Sequence, residues 1–153
     1  MPLFKGSNNI RLREYDYRTG WFFVTNKADF RKDYFKDDLR DLLKEELANL
    51  VKKTEGVGLD YYHIMPNHIH AILIFDEAEL PLSEFWRRFK AITTTKAKKQ
   101  GFNDKTLWQK NYFEHVIRNE QALEKIREYI QNNPLKEDLP LEEIYEVVTI
   151  KAS

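Results

Sequence analysis

His68 and His70 are the residues of this chain whose type and spacing suggest chemistry most directly. A strand turns successive side chains to opposite sides, so with one residue between them both imidazoles leave the same face. His68, His70, Ile72 and Ile74 then share one face, and Ile69, Ala71, Leu73 and Phe75 the other. Two neutral imidazoles at the polar end of an otherwise apolar strand make half a site for a divalent metal. The same spacing also suits a hydrogen-bonded surface pair, so the dipeptide alone leaves both readings open.

A second constellation follows ~60 residues later, on a stretch with helical periodicity. Asn119 is placed to cap it, Leu123, Ile126 and Ile130 form its packing stripe, and Pro134 disfavours a helical residue before it. Tyr129 and Asn133 are four residues apart and so within roughly 40° around the axis. One reading makes Tyr129 a half-buried core tyrosine and Asn133 a C-terminal cap. The other sets the phenol beside a metal held by His68 and His70, with the Asn133 amide oxygen as third ligand. A phenol with an ordinary pKa near ~10 is protonated at neutral pH, so attack on phosphorus requires a proton acceptor and a cation. Attack by tyrosine would conserve the phosphodiester as a protein–DNA ester and release a 3′-hydroxyl able to reverse the step.

The elements that must position these groups are legible in outline. Residues 1–18 read as a basic, aromatic-containing arm, and Trp21 to Thr25 as a strand after the Thr19-Gly20 turn. Leu39, Leu42, Leu43, Leu47, Leu50 and Val51 follow helical spacing between Asp37 and Lys53, closed by Gly56. Val57 to Ile64 and His68 to Phe75 read as antiparallel strands around Met65-Pro66-Asn67, since Pro66 lacks the N–H of a ladder residue. His63, on the first of these strands, reads as structural. Ser83 is the expected N-cap of a helix packed through Leu82, Phe85, Trp86, Phe89 and Ile92 and stopped by Gly101. Thr106 to Ile117 suggests a fourth, irregular strand, and Val147 to Ile150 an edge strand or a docked tail. The order β-α-β-β-α-β-α predicts an α+β fold, an antiparallel sheet with helices on one side, of ferredoxin-like type.

Length and composition set outer limits. A chain of 153 residues suits one domain, large enough to bury roughly two-thirds of its unfolded surface. With no cysteine there is no disulfide or thiolate site, so a metal must be held by His, carboxylate or amide groups. The apolar runs are far shorter than the ~20 residues of a bilayer crossing, and the expectation is a soluble, cytoplasmic protein. Formal net charge is zero, which argues against phosphate binding until its distribution is seen. From Arg87 to Lys110 the bases Arg87, Arg88, Lys90, Lys96, Lys98, Lys99, Lys105 and Lys110 face one acid, Asp104. Such a run is either a solvated helix face or a set of phosphate contacts.

Met65-Pro66-Asn67-His68-Ile69-His70 resembles the HUH motif of the IS200-like (Y1) transposases. Trp108-Gln109, Phe113-Glu114-His115-Val116-Ile117-Arg118 and Tyr129-Ile130-Gln131-Asn132-Asn133-Pro134 resemble the REP-associated tyrosine transposase branch, in the family's order and spacing from about Trp21 to Leu135. The resemblance implies one domain over 1–153, with a 1–18 arm, a 19–135 catalytic core and a 136–153 extension. It also implies a ferredoxin-like HUH nuclease architecture, with His68, His70 and Asn133 as metal ligands and Tyr129 as nucleophile. Some family members carry glutamine where Asn133 stands. His115 matches a family position and is expected in a supporting or structural hydrogen bond. The implied substrate is single-stranded hairpin DNA and the implied metal Mg²⁺ or Mn²⁺, as phosphate and amide oxygens suit the first and imidazoles pull toward the second. On this footing Arg87, Arg88, Lys90, Lys96, Lys98, Lys99 and Lys110 are candidate DNA contacts, and Tyr15, Tyr17, Trp108 and Tyr112 candidate stacking rings. Trp86 and Phe89, at core spacing, read as packing residues. Family members occur as homodimers and as monomers, and both stay open. The rival functions are a structured-nucleic-acid binding module that has lost turnover, including a host-retained one, and a metallohydrolase without a covalent step.

Overall fold

The computed structural model describes residues 17–132. The elements run β1 (Gly20–Lys27), a short 3₁₀ turn (Asp29–Arg31), α1 (Asp37–Lys53), β2 (Val57–Met65), β3 (His68–Phe75), α2 (Leu82–Lys99), β4 (Phe113–Ile117) and α3 (Glu120–Asn132). The four strands form one antiparallel sheet in the order β2-β3-β1-β4. This is the expected α+β, ferredoxin-like arrangement. The N-terminal arm through residue 16, Tyr15 with it, Asn133 and the segment 134–153 lie outside the described residues.

The helices do not share one side of the sheet, contrary to expectation. On one face Phe22, Val24, Ile69, Ala71, Leu73 and Phe75 pack against α1 through Leu42, Leu43 and Leu47 and against α2 through Leu82, Phe85, Trp86 and Phe89. On the other, Trp21, Phe23, Ile72 and Ile117 are covered by Ala122, Leu123, Ile126 and Ile130 of α3. Both faces of the central strands β1 and β3 are apolar, and each needs its own cover to leave water.

Local chemistry also departs from expectation at α2. Pro81 takes the N-cap position in an extended conformation, and Ser83 falls inside the helix. At the other end Gly101 adopts a φ of 100° just beyond the C-cap, Gln100, the left-handed turn that glycine allows without Cβ strain. Asn119 does cap α3, its Oδ1 accepting the N–H of Ala122 at 2.8 Å. α3 is further tied to β2 by Arg127, which donates from Nε to Asp60 at 2.9 Å and from Nη2 at 2.5 Å.

The fourth strand is shorter than the aromatic density of 106–117 suggests. Before Phe113 the chain pairs with the end of β1 only through an isolated bridge, Ala28 to Trp108, flanked by bonds from Asp29 N to Leu107 O and from Gln109 N to Lys27 O, both 2.9 Å. What fixes this segment is α2. Trp108 Nε1 donates to Thr93 Oγ1 at 2.9 Å, and Lys90 Nζ donates to the carbonyls of Gln109 and Lys110, each at 2.8 Å. Asn26 completes the lattice, accepting from Trp86 Nε1 at 2.8 Å while donating to Lys27 O at 3.1 Å. Apart from the exposed Lys110 carbonyl, these polar groups are buried or partly so, and each finds a partner. No helix among the described residues is long and apolar enough to cross a membrane.

Candidate active site

The histidines begin β3 directly after a turn that two outside segments clamp. Ala28 N donates to Asn67 O and Phe35 N donates to Pro66 O, both at 2.8 Å. His68 and His70 then leave the sheet on the α3 face, in line with Ile72, as the alternation requires. They are no surface pair: His68 is 1% exposed and His70 0%. Their rings meet edge to face with centroids 4.7 Å apart, and His70 stacks on Phe23 at 5.5 Å.

Each imidazole is held through Nδ1. That of His70 lies 2.7 Å from Thr25 Oγ1, its neighbour across β1, and that of His68 lies 2.7 Å from Asn67 Oδ1. Facing an amide oxygen, which only accepts, His68 donates from Nδ1, the tautomer that in a neutral ring leaves the lone pair on Nε2. The Thr25 hydroxyl accepts as readily as it donates and permits the same tautomer at His70. This is the form in which imidazole binds a metal, through the remote nitrogen, with the near one oriented by a hydrogen bond. The donor chemistry therefore fits a divalent cation. No group of three His, Asp or Glu side chains converges among the described residues, and the expected third donor, Asn133, lies outside them.

Tyr129 sits half-buried on α3, three residues after the core residue Ile126 and next to Ile130, on the helix that covers the histidine face. The sheet register orders the rest of that face. One cross-strand row is His63, His70, Thr25 and Phe113, and the next is Tyr61, Ile72, Phe23 and His115. His115 thus lies two strands from His70, and Thr25 and Asn67 are the residues that hold Nδ1 of the two imidazoles. Sequence offered a signal for Asn67, the neighbour of His68, but none for Thr25, whose role depends on register.

Burial and Arg118 together hold His115 well below the ordinary histidine value, at about 4. Between pH 6.5 and 4 the unfolded chain binds a proton that native His115 refuses. Its contribution is whole above pH 6.5 and is lost as pH falls through that window, by up to about 3 kcal/mol. Urea unfolding of wild type and His115→Gln at pH 7 and pH 4.5 should show the variant losing less stability on acidification. Equal losses would remove His115 from the acid response.

The expected DNA contacts fare unevenly. Trp108 is 5% exposed, wedged against Phe35 and Phe89 with ring centroids 4.8 and 5.6 Å away, which leaves no face for a base. Lys90 is spent on two backbone carbonyls, and Lys96 is paired with Glu46. Arg87 and Arg88 converge on Glu84, whose carboxyl the Arg87 hydrogen bond chiefly depresses, to about 2. Tyr17 stacks on Phe22, and Tyr112 packs beside Trp86; burial raises both phenols above their ordinary value. Lys98, Lys99 and Lys110 stay exposed without an ion pair among the described residues. The basic strip also rides on α2, across the sheet from the histidines. Sequence reading passed over two exposed rings nearer the pair. Phe113, 41% exposed, shares the row of His70, and Phe30, 77% exposed, follows β1 at the end of the sheet that carries His68. Phe30 holds a left-handed φ of 56°, a conformation that costs a non-glycine residue roughly 1–2 kcal/mol.

A family model described as "Transposase IS200 like" matches residues 22–133. The chain is 32% identical over 160 aligned positions to an uncharacterized protein of Haemophilus influenzae, covering 83% of this chain and 87% of that one. It is 27% identical over 125 positions to the REP-associated tyrosine transposase of Escherichia coli, covering 81% and 72%. Among solved structures it resembles a REP-associated tyrosine transposase bound to a REP hairpin, with TM-score 0.68 and 24% identity over 80% of this chain and 71% of the other. That last likeness is one of fold.

Proposed function

Because the chain belongs to the family of IS200-like transposases, we propose that it is a metal-dependent tyrosine transposase or endonuclease that cleaves and rejoins single-stranded hairpin DNA. The observation that carries this is the buried His68 and His70 pair, each with Nδ1 engaged. Two adjacent buried imidazoles held by their near nitrogens add little to a core that leucines would not add better, and on one face they can offer two nitrogen donors to a cation. His68, His70 and, in this reading, Asn133 would hold Mg²⁺ or Mn²⁺. When bound, the cation supplies a positive charge beside the scissile phosphate and offsets charge building on its oxygens.

The remaining steps belong to the chain. Tyr129 Oη attacks phosphorus, the Oη–P bond forms and the P–O3′ bond breaks. The phenol proton passes to water and a proton is taken up by the departing 3′-oxygen. The product is a 5′-phosphotyrosine ester, which a 3′-hydroxyl can attack in the reverse sense to rejoin strands. A hairpin is the DNA form on the solved relative and is the substrate assigned here, in the cytoplasm.

The test is a denaturing gel of the protein with end-labelled hairpin DNA carrying single-stranded flanks, with Mn²⁺ or with EDTA. A label that migrates with the protein in Mn²⁺ and is lost in EDTA is the expected result. A retarded complex on a native gel without any cut would make the chain a binding module. A cut without attachment would make it a metallohydrolase.

A further inference from the structure

The charges of α1 are sorted between its two flanks. Asp38, Asp41 and Glu45 line a cleft with Leu42 and Gln100 toward the end of α2, whereas Arg40 and Lys44 turn to the other side. There they line a cleft of about 160 Å³ with Tyr62, His63 and Ile64 of β2, and no acid borders it. Neither Arg40 nor Lys44 has an ion pair among the described residues. Two like charges one helical turn apart weaken a helix slightly, so the pair is no help to folding.

The position of the cleft is the informative part. β2 is one of the two edge strands of the described sheet, His63 is the register partner of His70, and the cleft opens at the end of β2 nearest the turn into His68. Neighbouring strands are roughly 5 Å apart, so the cleft begins one strand outward from the histidine pair. Arg40 and Lys44 supply the positive charge of the cleft, and the His63 imidazole and the Tyr62 hydroxyl stand beside them as hydrogen-bonding groups. Residues i and i+4 carry their Cβ atoms about 6 Å apart on a helix, a spacing that lets two cations meet neighbouring phosphates of one strand.

We propose that Arg40 and Lys44, with Tyr62 and His63 on the edge of β2, form a docking cleft for successive phosphodiester groups of the nucleic-acid strand that runs to the histidine site. This rests on reading the chain as an enzyme of single-stranded DNA. α1 shares its layer with α2, but this cleft reaches the edge of β2 at His63, the register partner of His70, and so can bring phosphate contacts to the histidine end of the sheet.

The experiment measures binding of labelled oligothymidylate, a probe of backbone contacts that needs no knowledge of the target sequence, to the full chain across a salt series. Wild type is compared with R40A/K44A and with K52A/K53A, which removes two exposed lysines from the far end of the same helix. R40A/K44A should bind about tenfold more weakly, and its slope of log affinity on log salt should be shallower by about 1.4, two contacts at roughly 0.7 each for a single strand. K52A/K53A should keep the wild-type slope. Circular dichroism confirms that each variant is folded, as alanine at exposed helical positions should ensure. Equal slopes in R40A/K44A and wild type would overturn the cleft, as would an equal loss in K52A/K53A. So would thermal stabilisation by inorganic phosphate that needs Arg40 and Lys44 while oligonucleotide binding does not, since that marks a small-anion site. If wild type forms the covalent hairpin adduct and R40A/K44A binds as wild type, the cleft alone fails. If wild type binds no DNA, the cleft and the proposed function fail together.

Discussion

Tyr129→Phe protein is expected to form no covalent adduct with hairpin DNA at any concentration of Mn²⁺, while binding that DNA within about twofold of wild type. The substitution removes one oxygen from a half-buried ring on α3 and leaves Ile126 and Ile130, the residues that seat the helix, untouched. Phenylalanine keeps the apolar body of the side chain, so the helix should stay where it is. Without an oxygen nucleophile the phosphorus cannot be joined to the protein, and no other change in the site substitutes for the missing bond. His70→Ala should give a second, distinguishable defect. It empties the space beside Phe23 and removes a lone pair from the metal half-site, so adduct should be lost with Tyr129 intact. Denaturing gels of the three proteins read both outcomes. An adduct that persists in Tyr129→Phe would assign the nucleophile elsewhere, and one that persists in His70→Ala would remove the metal from the reaction.

Trp108→Ala is expected to cost about 3–5 kcal/mol of stability, the usual range for a buried tryptophan reduced to alanine. The ring fills the space between Phe35 and Phe89, and its Nε1 is the donor to Thr93. Trp108→Phe should restore most of that packing and forfeit about 1 kcal/mol for the lost hydrogen bond. DNA affinity of the phenylalanine variant should equal that of wild type, since the ring offers no face to a base. Urea unfolding and oligonucleotide titration of the same proteins decide between core and contact. A stable Trp108→Ala protein with weakened DNA binding would return the residue to the stacking role its sequence context suggested.

The fate of Trp108 shows where sequence reasoning loses its grip. The aromatic and β-branched run from Thr106 to Ile117 has the composition of a strand, yet only Phe113 to Ile117 pairs as one. The first half is pulled beneath α2 by Thr93 and Lys90, residues more than ten positions away whose side chains leave no periodic trace. The basic run was visible for the same compositional reason, but its division into bound and unbound members was not. Lys90 and Lys96 find their partners through packing of α2 against other elements, while Lys98 and Lys99 extend past them.

What sequence by itself determined was whatever depends on neighbours a few residues apart. Alternation around His68 and His70, the proline in the preceding turn, the leucine spacing of α1 and the Asn119 cap each dictate a local conformation, and together they set the order of elements and the face shared by the two imidazoles. Tertiary structure alone decided what depends on register and layering. It put α3 on the opposite face from α1 and α2, because both sides of the central strands are apolar and each must be covered. It brought Thr25 to His70 across 45 positions of chain and turned Arg40 and Lys44 to the edge beside His63. Such pairings follow from how whole strands and helices are stacked, and no short-range pattern encodes the partner.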